Sequence, residues 1–198
     1  MRLFVALEVP EPPRRDVRRR VDGLRDRLPR ARWVDLDENL HLTLLFLGET
    51  AEAGVPAFAA RLREAFARCP PLELRLGAGG TFPPGGRPAR VAWIGVEAPD
   101  ELLTLQEEIT RAAVDTLGFA PEERGYHPHV TLARCPDPWR REAIDKFKTA
   151  FTGPVGPPFV AGHGVLFESK LSPKGARYRE IEAFPFTSDP LEDEETAE

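Results

Sequence analysis

The sequence predicts an α+β protein built from two similar halves. Three observations carry that prediction. Apolar residues recur at helical spacing in four segments and alternate, or run on, as strands in others. The order strand, helix and paired strands occurs twice along 198 residues. Finally, a short pattern is written twice, His41-Leu42-Thr43-Leu44 and His129-Val130-Thr131-Leu132, 88 residues apart. The chain therefore reads as two α+β lobes, each contributing a sheet, with the two repeated strands meeting between them.

Each element follows from its residues. Arg2 to Leu7 (RLFVAL) reads as a buried strand. Glu11 to Pro29 reads as a helix, with Val17, Val21, Leu24 and Leu28 on one stripe and Pro12 and Pro13 in its first turn. Trp33-Val34 is a short extended piece, and Asn39 to Leu47 (NLHLTLLFL) is a strand ended by Gly48. Pro56 to Arg68 places Phe58, Leu62, Ala65 and Phe66 on one side of a helix that stops at Cys69-Pro70-Pro71. Leu72 to Leu76 alternates as a strand, and Gly77 to Pro88, with five glycines and three prolines, reads as a loop before a strand at Val91 to Val96. Asp100 to Leu117 is the strongest helix, with Asp100 as N-cap and Gly118 as its C-terminal stop. His129 to Arg134 is the second repeated strand, Trp139 to Phe151 a helix, and Phe159 to Phe167 and Tyr178 to Phe184 strands. Residues 1–187 are expected to form a single bilobal domain, and residues 188–198 an acidic, disordered tail.

Composition narrows the function classes. No run of about 18 apolar residues occurs, and the opening Met1-Arg2-Leu3-Phe4-Val5-Ala6-Leu7 lacks the layout of a signal peptide, so a cytoplasmic protein is expected. Cys69 and Cys135 have no CxxC spacing and read as free thiols. The formal charge is -5, but six acidic residues fall within the last ten positions and leave the remainder near +1. Such a body carries no large electrostatic footprint for duplex DNA, yet it does not exclude a phosphate ligand.

The chemistry lies in the repeat, which holds two of only four histidines. In a strand, side chains two apart share a face, so each copy presents one imidazole beside one hydroxyl while its apolar residues turn to the core. One such strand carries little information, because threonine favours strands and isolated histidines are usually structural. Two copies in matching contexts supply two imidazoles and two hydroxyls for one small anionic group. That is the equipment for general acid and general base chemistry at a phosphate.

The words around the repeat add a resemblance. Arg2-Leu3-Phe4-Val5-Ala6, Trp33-Val34, Asn39 through Leu44 with Phe46-Leu47-Gly48-Glu49, His127 through Arg134, and Leu166 through Leu171 are similar to the 2H phosphoesterase superfamily. More narrowly, the chain resembles the RNA 2′,3′-cyclic phosphodiesterases, also called 2′-5′ RNA ligases. The resemblance implies a bilobal pseudo-twofold α+β fold with two antiparallel sheets flanking a central cleft and helices outside. It implies hydrolysis of RNA or nucleoside 2′,3′-cyclic phosphate to a 2′-phosphate without a metal or other cofactor; a monomer is expected, although the residues leave the oligomeric state open. His41 then serves as acid and His129 as base, an order that follows from the family and not from the residues, while Thr43 and Thr131 bind nonbridging oxygens. Ligation to a 5′-hydroxyl is the reverse of the same chemistry, and a non-catalytic RNA-end binding protein is the alternative from a different class.

Phe46 and Arg134 occupy the same place in the two copies, five residues after each histidine, and by the resemblance they face the ligand. Arg134 would supply positive charge to the phosphate, and Phe46 would stack on a base or ribose. An odd offset in a regular strand points to the wrong face, so a bulge, a strong twist or a strand end must lie between offsets two and five. Without that distortion Phe46 belongs to the core. Tyr126-His127-Pro128 is expected to fix the strand's start, His163 to be structural or exposed, and Ser169, Lys170, Lys174 and Tyr178 to lie in or near a turn that either flanks the cleft or is a solvated hairpin. Trp33, Trp93 and Trp139 read as packing residues.

Overall fold

The computed structural model describes residues 1–38, 40–122, 124–172 and 175–187. Asn39, Lys174 and the acidic tail lie outside these described residues. The chain runs β1 (Arg2–Glu8), α1 (Pro13–Asp22), a 3-10 turn, β2 (Arg32–Trp33), β3 (His41–Glu49), a second 3-10 turn and α2 (Val55–Arg68). It continues through β4 (Leu72–Phe82), β5 (Ala89–Glu97), α3 (Asp100–Leu117), β6 (His129–Trp139), α4 (Arg141–Ala150), β7 (Phe159–Ala161), β8 (His163–Ser172) and β9 (Gly175–Pro185).

The strands form one curled antiparallel path, β7-β4-β5-β6-β3-β1-β8-β9, with β2 beside β6. The two expected sheets are thus halves of a continuous one, joined where Leu42 of β3 pairs with Val130 of β6. The halves repeat in order: β1-α1-β3-α2 in the first corresponds to β5-α3-β6-α4 in the second. The sheet carries apolar clusters on both faces. On the helix side, Leu3, Val5 and Leu7 of β1 join Val17, Val21, Phe58, Leu62, Phe66, Leu102 and Ile109 in the main core. On the other side, Phe4 and Ala6 pack with Val165 and Phe167 in a small separate cluster that floors the cleft. Each fully buried side chain of this kind is worth about 1.5–3 kcal/mol, so the main core sustains the fold and the small cluster shapes the site.

Several expectations change at their edges, each for a physical reason. The first helix ends at Asp22, not Pro29, because Gly23 caps it and Leu24 closes a tighter turn onto Val21. Gly48 does not end β3; it sits inside the strand with φ 69° at an irregularity opposite Leu3 and Phe4. Asp100 is the first helical residue and Pro99 the extended N-cap, so Asp100 and Glu101 act on the helix dipole from within the first turn. Gly118 does stop α3, in the left-handed conformation at φ 63°. Trp139 ends β6 instead of opening α4, and Phe159 to Phe167 breaks into β7 and β8 at Gly162. No helix among the described residues is long and apolar enough to cross a membrane.

The largest correction concerns Gly77 to Phe82, expected as loop and found as the second half of β4. Its glycines make room for neighbours and do not mark a turn. A Cβ on Gly80 would stand 2.2 Å from the Trp93 ring, and one on Gly79 would stand 2.7 Å from Phe151 Cβ. Trp93 therefore lies flat against bare backbone. Gly80→Ala should force the indole out of place and destabilise the protein by about 1–3 kcal/mol, the usual cost of overpacking, read as a lower urea midpoint. An unchanged midpoint would show that Trp93 has room to move.

Candidate active site

The two repeated strands are direct neighbours. With Leu42 paired to Val130 in an antiparallel ladder, His41 stands across from Thr131 and Thr43 across from His129, at the roughly 4.5–5.5 Å Cβ spacing of opposed residues. The two histidines are thus diagonal neighbours on one face, with a threonine completing each row. All four are half-buried, while Leu42, Leu44, Val130 and Leu132 turn into the core.

The distortion required between offsets two and five is present in both copies. In β3, Leu45 pairs with Val5 and Thr43 with Ala6, which leaves Leu44 as the extra residue. In β6, Ala133 pairs with Ala92 and Thr131 with Trp93, which leaves Leu132 extra. Each bulge buries two successive residues and returns the next one to the histidine face. Phe46, 48% exposed, is accordingly no core residue. Arg134 is exposed at the equivalent place, paired with Val91 as Phe46 is with Phe4.

A bulge leaves a backbone carbonyl without its ladder partner, and both are answered from elsewhere in the chain. Gln106 of α3 donates its Nε2 to the Leu44 carbonyl at 3.3 Å. Val34, just after β2, donates its backbone N–H to the Leu132 carbonyl at 2.9 Å. Tyr126 adds a third brace, since its hydroxyl donates to the Thr43 carbonyl at 2.8 Å and ties the start of one repeated strand to the middle of the other. Burial pushes the Tyr126 phenol well above its ordinary pKa, so it remains a donor at physiological pH.

The histidines occupy different surroundings. His129 Nδ1 lies 2.6 Å from the His127 carbonyl. A carbonyl can only accept, so Nδ1 carries the proton and Nε2 of the neutral ring keeps a lone pair. Burial lowers the His129 pKa below its usual value, with the His127 hydrogen bond opposing and the His127 charge adding to the shift. Phe82 (5.1 Å), Trp93 (5.8 Å) and His127 (6.1 Å) surround its ring. His41 instead packs against Phe4 at 5.0 Å and edge-on to Tyr178 at 5.4 Å.

Tyr178 links the lobes. Burial raises its pKa, while the positive charges of Arg134 and Arg2 act in the opposite direction. Arg134 of the second lobe thus acts on a ring that contacts His41 of the first. Arg2 also lies over the Phe46 ring, 5.0 Å from its centroid. Around the expected turn, Tyr178 enters the cleft and Ser169 is its cross-strand partner, whereas Lys170 pairs with Glu168 at 3.6 Å. His163 faces Glu8 at 3.6 Å. Trp139 is a packing residue, as expected, and its Nε1 donates to the Pro29 carbonyl at 3.3 Å. Trp33 packs beside Trp139, but Trp93 lies beside His129 on the cleft face.

Sequence reasoning missed Arg2 and Gln106 as supports of the site, and it placed Tyr126 only at the strand's start without its bond to the other repeated strand. Only Tyr126 had a local signal, its place three residues before His129. Cys69 and Cys135 are buried free thiols, each with a pKa pushed up to about 11, which leaves neither as a nucleophile. Among the described residues no group of three or more His, Cys, Asp or Glu side chains gathers as a metal site.

Two measurements test this geometry without reference to turnover. In an NMR titration the His129 imidazole should pass its midpoint below about 6.5, the ordinary histidine value; the neutral form then persists to lower pH, and a midpoint above 6.5 would contradict the burial argument. Tyr126→Phe should cost about 1–3 kcal/mol of stability in urea unfolding, because it leaves the Thr43 carbonyl unpaired. No loss would mean that water replaces the hydroxyl at no cost.

Comparison with known proteins agrees with this arrangement. A family model described as the 2′-5′ RNA ligase superfamily matches residues 12–155. The chain is 32% identical over 188 residues to the RNA 2′,3′-cyclic phosphodiesterase of Methanothermobacter thermautotrophicus, covering 93% of this chain and 98% of that one. It is 33% identical over 187 residues to the protein of the same name from Thermotoga maritima, covering 86% and 98%. Among solved structures, TT0787 of Thermus thermophilus matches with a TM-score of 0.79 at 29% identity, covering 96% of this chain and all of the other. E. coli LigT complexed with 3′-AMP matches with a TM-score of 0.73 at 27% identity, covering 94% and 98%. A family match over most of the chain, full-length relatives and a shared fold all lead to one assignment: the chain belongs to the 2′-5′ RNA ligase superfamily of 2H phosphoesterases.

Proposed function

We propose that this chain is an RNA 2′,3′-cyclic phosphodiesterase that opens RNA-terminal or nucleoside 2′,3′-cyclic phosphates to 2′-phosphates without a metal ion or cofactor. The observation that carries the reading is the fixed tautomer of His129, whose Nδ1–H is held by the His127 carbonyl at 2.6 Å. Its Nε2 is then a base with a lowered pKa, which keeps it unprotonated near neutrality. In the proposed step, His129 Nε2 takes a proton from water, the water oxygen attacks phosphorus, the bond from phosphorus to O3′ breaks, and His41 gives its proton to O3′. The product is a 2′-phosphate beside a free 3′-hydroxyl.

The remaining residues take roles that their placement supports. Thr43 and Thr131 stand in the two histidine rows and would donate to the nonbridging oxygens, where charge accumulates in the transition state. Arg134 would add a fixed positive charge from the second lobe. Phe46, exposed on the histidine face, offers a ring for the base or ribose. The relatives named RNA 2′,3′-cyclic phosphodiesterase, and the LigT structure with 3′-AMP, support this substrate class. Joining a cyclic phosphate end to a 5′-hydroxyl as a 2′-5′ linkage is not the reverse of hydrolysis but the same displacement with the hydroxyl in place of water, so His129 remains the base and His41 the acid.

Incubation with a 2′,3′-cyclic nucleotide in the presence of a chelator tests the proposal. The expected product is the 2′-phosphate, with His41→Ala and His129→Ala each lowering kcat by about 10²–10⁴-fold. Activity abolished by the chelator would sink the metal-free mechanism, and a 3′-phosphate product would reverse the bond assignment. Tight binding of cyclic-phosphate ends without any product would make the protein a binder and not an enzyme.

A further inference from the structure

Keeping His129 neutral for hydrolysis needs only an apolar surface around it, yet one feature of the second lobe goes beyond that. Beside His129 stand three aromatic rings on the cleft face: Phe82, Trp93 and His127, with Trp93 4.9 Å from His127 and 5.1 Å from Phe82. His127 is exposed, and Phe82 and Trp93 are half-buried. The wall is built by its backbone, since Gly80 has no side chain where Trp93 lies. A water nucleophile needs no aromatic surface. In-line attack places the nucleophile beside the base and opposite the leaving oxygen, so whatever lies on this wall lies next to the attacking atom. The base of the cyclic nucleotide already has a ring in the first lobe, Phe46, on the strand that carries His41.

We propose that Phe82, Trp93 and His127 form a second nucleoside subsite, which holds the terminal base of an incoming RNA strand with a free 5′-hydroxyl. The inference rests on the proposed reaction and names its second substrate. His129 Nε2 takes the proton of the 5′-hydroxyl, O5′ bonds to phosphorus, the bond from phosphorus to O3′ breaks, and His41 protonates O3′. The product is a 2′-5′ diester with a free 3′-hydroxyl, balanced without any other reactant. A pseudo-twofold cleft with an aromatic surface in each lobe suits a transfer between two nucleosides better than transfer to water.

The test is a partition experiment with wild-type protein, 2′,3′-cyclic AMP as donor, and the dinucleotide ApA bearing a free 5′-hydroxyl as acceptor. The ratio of 2′-5′ product to 2′-phosphate should rise with ApA and saturate, because a bound acceptor competes with water. Phe82→Leu should lower that ratio at subsaturating ApA by roughly fivefold or more, the loss expected for one stacked base. Both products pass through one phosphate site, so the ratio is independent of any change in total turnover. A ratio that climbs linearly without saturation, an unchanged ratio in Phe82→Leu, or 2′-phosphate formed with no 2′-5′ product at any ApA concentration would each overturn the subsite. A higher KM for cyclic AMP hydrolysis in Phe82→Leu, without ApA, would overturn it by assigning the wall to the donor base. Absence of both products would refute the proposed reaction itself, and the subsite with it.

Discussion

The pairing of Leu42 with Val130 is the contact on which the site depends. Each half of the sheet has its own helices over a shared core, but neither half alone places two imidazoles together. Leu42 and Val130 are both buried, and each lies between a histidine and a threonine of its own strand. Burying that one pair fixes register, since a one-residue slip of either strand would turn its own histidine and threonine into the core. The same apolar contact that closes the sheet thus sets the spacing of the polar groups above it.

The bulges extend this logic outward. A regular strand would give the cleft two residues per copy; one extra residue in each delivers a third, Phe46 or Arg134. The cost is a displaced carbonyl, and the chain meets it with unrelated donors: a glutamine side chain on α3 for Leu44 and a backbone N–H after β2 for Leu132. Equivalent defects with different supports indicate that the distortion is what the two halves share, and that the surrounding elements adapted to it separately. Gln106 comes from the second half and Val34 from the first, so each bulge is braced by the opposite half of the chain.

Much of this was legible in the sequence because the informative signals were local and written twice. Apolar positions around each His-x-Thr fixed the face of the strand, and the matching offset of Phe46 and Arg134 required an irregularity that the register displays. What escaped were features decided by distant neighbours. Gly77 to Phe82 read as loop because glycine punctuates chains locally, whereas Gly79 and Gly80 answer to Phe151 and Trp93, remote in sequence. Trp93 read as a packing residue because it abuts an apolar run; it does pack, but against Phe82, His127 and His129 on the cleft face. Arg2 carried no signal, since only the curl of the sheet brings it over Phe46 and near Tyr178.

A symmetric frame must still supply two unlike groups, and the strands flanking each repeat show how. The residue paired with His41 is Glu8, while the residue paired with His129 is Gly95. An apolar, desolvated surrounding favours a neutral imidazole, which is the direction burial gives His129. The Glu8 carboxylate lies 3.6 Å from His163, whereas Phe82 and Trp93 pack against the histidine proposed as base. Duplication supplies the matched geometry that in-line transfer at phosphorus needs. Divergence around the two rings, with Phe4 and Tyr178 at His41 and Phe82 and Trp93 at His129, gives the proposed acid and base unlike surroundings.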